Sequence, residues 1–167
     1  LAAGPARAAG PIVIGATTSQ TGPLTEDADY QTRGVELAIE QANARGGWLG
    51  RKLELKFYDD KSDPGTAVRL YTRLITNDRV DLLLGPYSSG ISQAVAPLIN
   101  KYGFATIEPG ASLPDIFMAG NKWNFQGTAS SLQYLDELLP LAKQQGAATV
   151  AVLGLKSAYS LACYKAR

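Results

Sequence analysis

The stretch Val80-Asp81-Leu82-Leu83-Leu84-Gly85-Pro86-Tyr87-Ser88-Ser89-Gly90-Ile91-Ser92-Gln93-Ala94-Val95-Ala96-Pro97-Leu98 decides how the rest of the chain is read. Val80 to Leu84 has the length and apolar content of a buried strand. Beyond Gly85-Pro86, the residues Ile91, Ala94, Val95 and Leu98 recur at helical spacing, so strand gives way to helix within a few positions. Ser88 and Ser89 stand at that junction. Free backbone N–H groups at a helix N-terminus, backed by the aligned peptide dipoles, favour an anion placed there. Two hydroxyls add donors, so the turn reads as a socket for a carboxylate or another small anion. The plainer alternative is a helix cap, contributing about 1 kcal/mol to stability and nothing to binding.

Outward from this turn, strand and helix signals alternate. Ile12 to Thr17 fits a buried parallel strand, followed by a polar loop from Thr18 to Asp29. A helix is expected over Tyr30 to Ala44, with Val35, Ala38, Ile39 and Ala42 on its inner face, stopped by Gly46-Gly47. Lys52 to Tyr58 alternates as a strand, and Asp59 to Ser62 forms a turn. Asp63-Pro64 then opens a helix as N-cap and first-turn proline, with Ala67, Leu70, Tyr71 and Leu74 inward. Gly103 ends the serine-capped helix, and Phe104 to Ile107 is a fourth strand running into Glu108-Pro109-Gly110-Ala111-Ser112. Trp123 and Phe125 fit a short strand. A helix is expected from Ser130 to Gln144 with Leu132, Leu135, Leu139 and Ala142 inward, then a fifth main strand from Thr149 to Leu153, then a helix from Tyr159 to Arg167. This alternation predicts an α/β fold, a doubly wound parallel sheet with right-handed crossovers. Ligands gather outside the carboxyl ends of strands in such sheets.

Composition narrows the function classes. The 167 residues are 46% apolar and 19% charged, with net charge +1 and both signs well mixed, which gives no basic face for nucleic acid. No apolar run approaches the ~20 residues of a membrane-spanning helix. The chain has no histidine, which removes a Ser-His-Asp triad or a His-bearing metal site from within it. Cys163 is alone, so no internal disulfide forms; it reads as packed on its helix and inert. Leu1 to Ala8 resembles the small-residue end of a secretory signal, with Ala6-Arg7-Ala8 as an A-x-A-like site, or else a disordered tail. Asp59, Asp60 and Asp63 could suggest a metal, but Asp63 is accounted for as a cap. Trp48 and Trp123 read as core or surface-anchoring residues. No metal or cofactor is called for.

An α/β enzyme built on the serine turn is the alternative from a different class. Gly85-Pro86-Tyr87-Ser88-Ser89 lacks the G-x-S-x-G spacing of a nucleophile elbow, and no G-x-G-x-x-G or Walker sequence follows a strand.

Four runs carry a resemblance. They are Gly15-Ala16-Thr17 through Ser19-Gln20-Thr21-Gly22-Pro23, Gly34-Val35-Glu36-Leu37-Ala38-Ile39-Glu40-Gln41-Ala42-Asn43-Ala44-Arg45-Gly46-Gly47, Tyr58-Asp59-Asp60-Lys61-Ser62-Asp63-Pro64, and Gly85-Pro86-Tyr87-Ser88-Ser89. Together, and in order over residues 12 to 167, the chain resembles the branched-chain amino-acid-binding (Leu/Ile/Val type) periplasmic solute-binding proteins of bacterial ABC importers, which have the type I periplasmic-binding-protein fold. That family binds amino acids, amides, urea and aromatic carboxylates between two lobes joined by three crossover strands. The resemblance implies a tail over 1–11, an incomplete first lobe over 12–128 and the start of a second α/β lobe over 129–167, the chain being a fragment of something longer. The missing part would leave sheet edge and apolar surface uncovered.

The resemblance also implies site residues. Ser89, beside Ser88, falls where the family's serine binds the ligand carboxylate. Gly110 matches a carbonyl that accepts from the ligand ammonium, and Ser112 a residue that meets both ends of an amino acid. Tyr159 aligns with a second-lobe tyrosine that closes over the ligand. Asp27 sits where leucine binders carry an aromatic that walls the side-chain pocket, a departure from the pattern. The implied partners are a small carboxylate-bearing solute and an inner-membrane ABC permease, with no nucleic acid. The implied location is periplasmic, or lipid-anchored outside a Gram-positive cell. A ligand-sensing domain of a receptor or regulator would share the same fold.

Overall fold

The computed structural model describes residues 10–118 and 120–164. Ala6-Arg7-Ala8 and the last three residues expected in the final helix lie outside the described residues. In chain order the elements are β1 (Ile12–Thr18), α1 (Thr25–Ala44), β2 (Leu53–Asp59), α2 (Pro64–Thr76), β3 (Leu82–Leu84), α3 (Ser89–Tyr102), β4 (Thr106–Glu108), β5 (Asn124–Gln126), α4 (Leu138–Gln144) and α5 (Ala158–Tyr164). Single 3-10 turns cover Pro114–Ile116 and Ser131–Gln133.

The five strands form one parallel sheet in the order β2-β1-β3-β4-β5. Ile12 to Thr18 pair with Leu53 to Asp59, and Leu83 pairs with Thr106. This is the α/β, doubly wound arrangement expected from the sequence, and its order reverses between β1 and β3. Loops leaving β1 and β3 diverge there, which opens a crevice at the strand ends.

Strand alternation sorts the core onto two faces. Leu83 and Val80 meet Ala67, Tyr71 and Leu74 of α2 and Ile91, Val95 and Ile99 of α3. On the opposite face Ile12, Ile14 and Leu53 pack under Ala42 and Ile39 of α1. Helix boundaries follow local chemistry. Asp63 accepts the Thr66 N–H at 2.7 Å ahead of Pro64, capping α2, and Gly103 takes the left-handed conformation (φ 65°) that ends α3. On the α1 side the sheet beyond β3 is uncovered: Leu82, Ile107 and Phe125 are exposed.

Three expectations are corrected. Helix α1 begins at Thr25 rather than Tyr30, because Leu24 N–H is held by Ser62 Oγ at 3.1 Å and acidic Glu26 and Asp27 suit the positive end of a helix. The expected helix over 130–144 is a 3-10 turn and the short α4. Pro140 lacks the N–H that a helix running through from Ser130 would donate to Asp136 O, and it sits in the first turn of α4, where that N–H is not needed. Leu132 is exposed, and Leu135, Leu139 and Ala142 are only half-buried. Thr149 to Leu153 is not a strand: none of the five strands pairs with it, and Val150, Val152 and Leu153 are exposed. An apolar run without a partner strand has no ladder to join.

Candidate functional site

The loops at the carboxyl end of the sheet are tied to one another by carboxylates. Asp60, fully buried at the end of β2, accepts from Thr17 Oγ1 and Ser19 Oγ at 2.7 Å each and from Ser62 N–H at 3.0 Å. Asp59 accepts from Gln20, Thr21 and Lys61 N–H groups and from the Thr21 hydroxyl. Burial pulls the Asp59 pKa up, but these hydrogen bonds, the Thr21 hydroxyl foremost, hold it below the usual carboxylate range. With Asp63 capping α2, all three acids hold structure together.

The serine turn divides its labour. Ser88, not Ser89, is the N-cap of α3, its hydroxyl 3.4 Å from the Ile91 N–H. Its backbone sits at φ 80°, ψ 140°, territory that L residues rarely enter, and such strain gathers at ligand-gripping turns. Ser89 is the first helical residue. Its nearly buried Oγ accepts the Ser112 N–H at 3.2 Å. The hydroxyl proton of Ser89 is therefore left to donate elsewhere. The first helical N–H groups, at Ser89 and Gly90, have no carbonyl one turn back to serve them. Donors therefore converge at this end of α3.

They face a cavity of about 580 Å³ lined by Asp27, Tyr87, Ser88, Ser89, Gly90, Gly110, Ser112, Tyr134 and Tyr159 among others. All six residues singled out in the sequence line it. Gly110 is packed closely: a Cβ there would come within 2.1 Å of Gln31 Oε1 and 3.1 Å of the Tyr87 ring, so the Gln31 side chain would have to shift to admit one. Asp27 is on the first turn of α1, not in a loop, and is the one carboxylate of the lining. Tyr159, on α5, packs edge-on against Tyr134 with ring centroids 6.2 Å apart. Burial first, then Cys163 and Tyr134, pushes the Tyr159 hydroxyl up to about 12. Burial and then Asp27 likewise raise Tyr87. Both phenols are neutral donors at physiological pH. With no lysine or arginine in the lining among the described residues, an anion here is held by the helix end and hydroxyls.

A second hollow, of about 400 Å³, runs between α1 and the uncovered sheet face beside Ile14, Val35, Ala38, Ile39 and Leu84. Its walls are mainly apolar and the Gln31 amide on its lining already donates to Gly85 O at 3.2 Å, so the chemistry points to the first cavity.

Sequence reasoning passed over Tyr87 and Tyr134 as lining residues and Glu108 beneath the site. Glu108 ends β4, is fully buried, accepts from Ser92 Oγ at 2.8 Å through Oε2, and has no partner for Oε1 among the described residues. Burial raises its pKa from an ordinary 4.5 to about 7, against a smaller downward pull from Ser92. Its signal was strand parity. Thr106 and Glu108 share the inward face of β4, where an acid is out of place.

A family model described as periplasmic binding protein matches residues 11–166. A leucine-, isoleucine-, valine-, threonine- and alanine-binding protein of Pseudomonas aeruginosa is 35% identical over 119 residues, 71% of this chain and 32% of that protein. The Leu/Ile/Val-binding protein of Escherichia coli K12 is 29% identical over 109 residues, 65% of this chain and 29% of its own length. The chain thus spans about a third of the length of these curated relatives. Among solved structures, the branched-chain amino acid transporter substrate-binding protein LivJ of Streptococcus pneumoniae, in complex with isoleucine, matches with a TM-score of 0.70 at 28% identity, over 78% of this chain and 39% of that one. An ABC-transporter solute-binding protein of Rhodopseudomonas palustris BisB5, in complex with 3,4-dihydroxybenzoic acid, shares the fold, with a TM-score of 0.84 at 21% identity over 93% of this chain and 42% of that one. On the family match and the shared sheet, the chain belongs to the periplasmic binding protein family.

Proposed function

We propose that this chain is part of an extracytoplasmic solute-binding protein of an ABC transporter. It binds a small carboxylate-bearing solute, of the branched-chain or hydrophobic amino-acid type, and delivers it to a membrane permease. The observation that carries this reading is the convergence of Ser88, Ser89, Gly110 and Ser112 at the N-terminus of α3, facing one cavity. The Ser89 hydroxyl and the first N–H groups of α3 hold the carboxylate. The Gly110 carbonyl accepts from the ammonium. Residues 12–128 act as the first lobe and 129–167 as the start of the second, and Tyr159 closes over the ligand as the lobes hinge together. This is a binding and transport role rather than a catalytic one.

Asp27 and the tyrosines favour a second ligand class. Beside Leu24 and Leu155, the cavity presents Tyr87, Tyr134 and Tyr159 together with the Asp27 carboxylate, which suits an aromatic carboxylate bearing donors. A thermal-shift panel on the full-length natural protein separates the two classes. It tests the twenty L-amino acids beside small amides and aromatic carboxylates, since a ligand that binds only the folded state raises the melting temperature. Shifts with aliphatic amino acids support the first class, and shifts with aromatic acids alone the second. No shift with any carboxylate contradicts the reading.

A further inference from the structure

Glu108 is the titratable group that the proposed binding scheme leaves unused. It lies against the backbone of Gly85, where a Cβ would come within 1.8 Å of Oε2, and under the first turn of α3. Ser92 links the two: its Oγ donates to Glu108 Oε2 at 2.8 Å, and its N–H donates to Ser88 O at 3.0 Å. The carboxyl is thus hydrogen-bonded to the fourth residue of α3, three positions past Ser89 and two past Gly90, whose N–H groups face the cavity. The Ser92 hydroxyl also lies 3.3 Å from Pro86 O, so its single proton has two acceptors within reach.

We propose that Glu108 is a buried proton switch behind the anion socket. Its neutral form admits a carboxylate at the N-terminus of α3, its ionised form opposes one, and ligand capture takes up a proton. This rests on reading that turn as a carboxylate site. Two carboxylates this close, with water excluded from one of them, do not both ionise cheaply. Ionised Glu108 also places a full negative charge behind the helix end whose partial positive charge attracts the ligand.

The groups around it leave the switch to Glu108. From α2 the facing ionisable group is Tyr71, fully buried, neutral, and donating to Leu84 O. Beyond it stands Asp60, already holding Thr17, Ser19 and Ser62. The contribution of α3 is the uncharged Ser92. The inward residue of β5 beside Thr106 is the uncharged Asn124. Among the described residues no lysine or arginine pairs with Glu108. The chain has no histidine to titrate in the same range.

The test is isothermal titration of the full-length natural protein with L-leucine and with benzoate. It is run near pH 6 and pH 8, each in two buffers of different ionisation heat. Binding is expected to weaken about tenfold from the lower to the higher pH, the equivalent of one pKa unit of coupling, with net proton uptake. Glu108→Gln should bind near pH 8 as tightly as the wild type does near pH 6. Ser92→Ala removes the hydrogen bond that pulls the Glu108 titration down, so the fall in affinity should move to higher pH. A purely structural role for Ser92 would not do that, and this variant carries the test if Glu108→Gln does not fold. Equal affinity at both pH values, or full pH dependence retained in Glu108→Gln, overturns the proposal while leaving the carboxylate site intact. If neither probe binds at either pH, both readings fall together.

Discussion

Ser89 Oγ accepts a 3.2 Å hydrogen bond from the backbone N–H of Ser112, tying the turn after β3 to the loop after β4. Both residues are nearly buried, so the bond matters to the fold as well as to the cavity. Ser89→Ala leaves the Ser112 N–H buried without an acceptor, a loss of about 1–3 kcal/mol. Chemical denaturation of the two proteins should show that difference as a lower midpoint at unchanged slope.

Asp60 is the strongest knot among the loops. Asp60→Ala strands the hydroxyls of Thr17 and Ser19 and the N–H of Ser62 at once, with an expected cost of about 2–4 kcal/mol. Asp63→Ala should cost only about 1 kcal/mol, because it removes an exposed cap. Denaturation midpoints of the two variants, compared side by side, check the ranking.

Gly85 and Glu108 compete for one space. A methyl at Gly85 would meet the Glu108 carboxyl at 1.8 Å and cannot be accommodated without movement. Gly85→Ala is expected to destabilise by about 1–3 kcal/mol. Shortening the acid in Gly85→Ala/Glu108→Ala should make the double variant less unstable than the sum of the singles. A double-mutant cycle measures that coupling.

Glu108 should also leave a mark on stability against pH. Its folded pKa, about 7, lies above its ordinary 4.5, so the folded protein keeps a proton that the unfolded chain has released. The contribution is full below about pH 4.5 and is lost as pH rises through about 7, a fall on the order of 1–3 kcal/mol. Glu108→Gln should flatten the stability curve over that window, as read by melting temperature against pH.

The first four strands and their helices were legible because each carries a local signal that tertiary structure reinforces. Ile12 to Thr17 is apolar on both faces, Asp63-Pro64 is an unambiguous helix start, and Gly103 supplies the left-handed stop. The serine turn was legible for the same reason, although the cap turned out to be Ser88 and Ser89 the buried partner of Ser112. Thr149 to Leu153 misled because apolar content marks a strand only where a neighbour completes the ladder. Residues 130–144 misled because helical spacing of leucines outweighed the missing N–H of Pro140. Tyr134 was invisible as a site residue because its role comes from long-range packing against Tyr159, whereas Glu108 showed only as an acid at an inward strand position, its contacts with Ser92 and Gly85 being set by the fold.

The central claim is that the Ser89 end of α3 holds a carboxylate. The most direct measurement is the dissociation constant of the full-length protein and its Ser89→Ala variant, for whichever carboxylate gives the largest thermal shift. Loss of a hydroxyl donor to a charged group should weaken binding by roughly ten- to a hundredfold, the equivalent of about 1.5–3 kcal/mol. An unchanged dissociation constant in a folded Ser89→Ala protein would contradict the account.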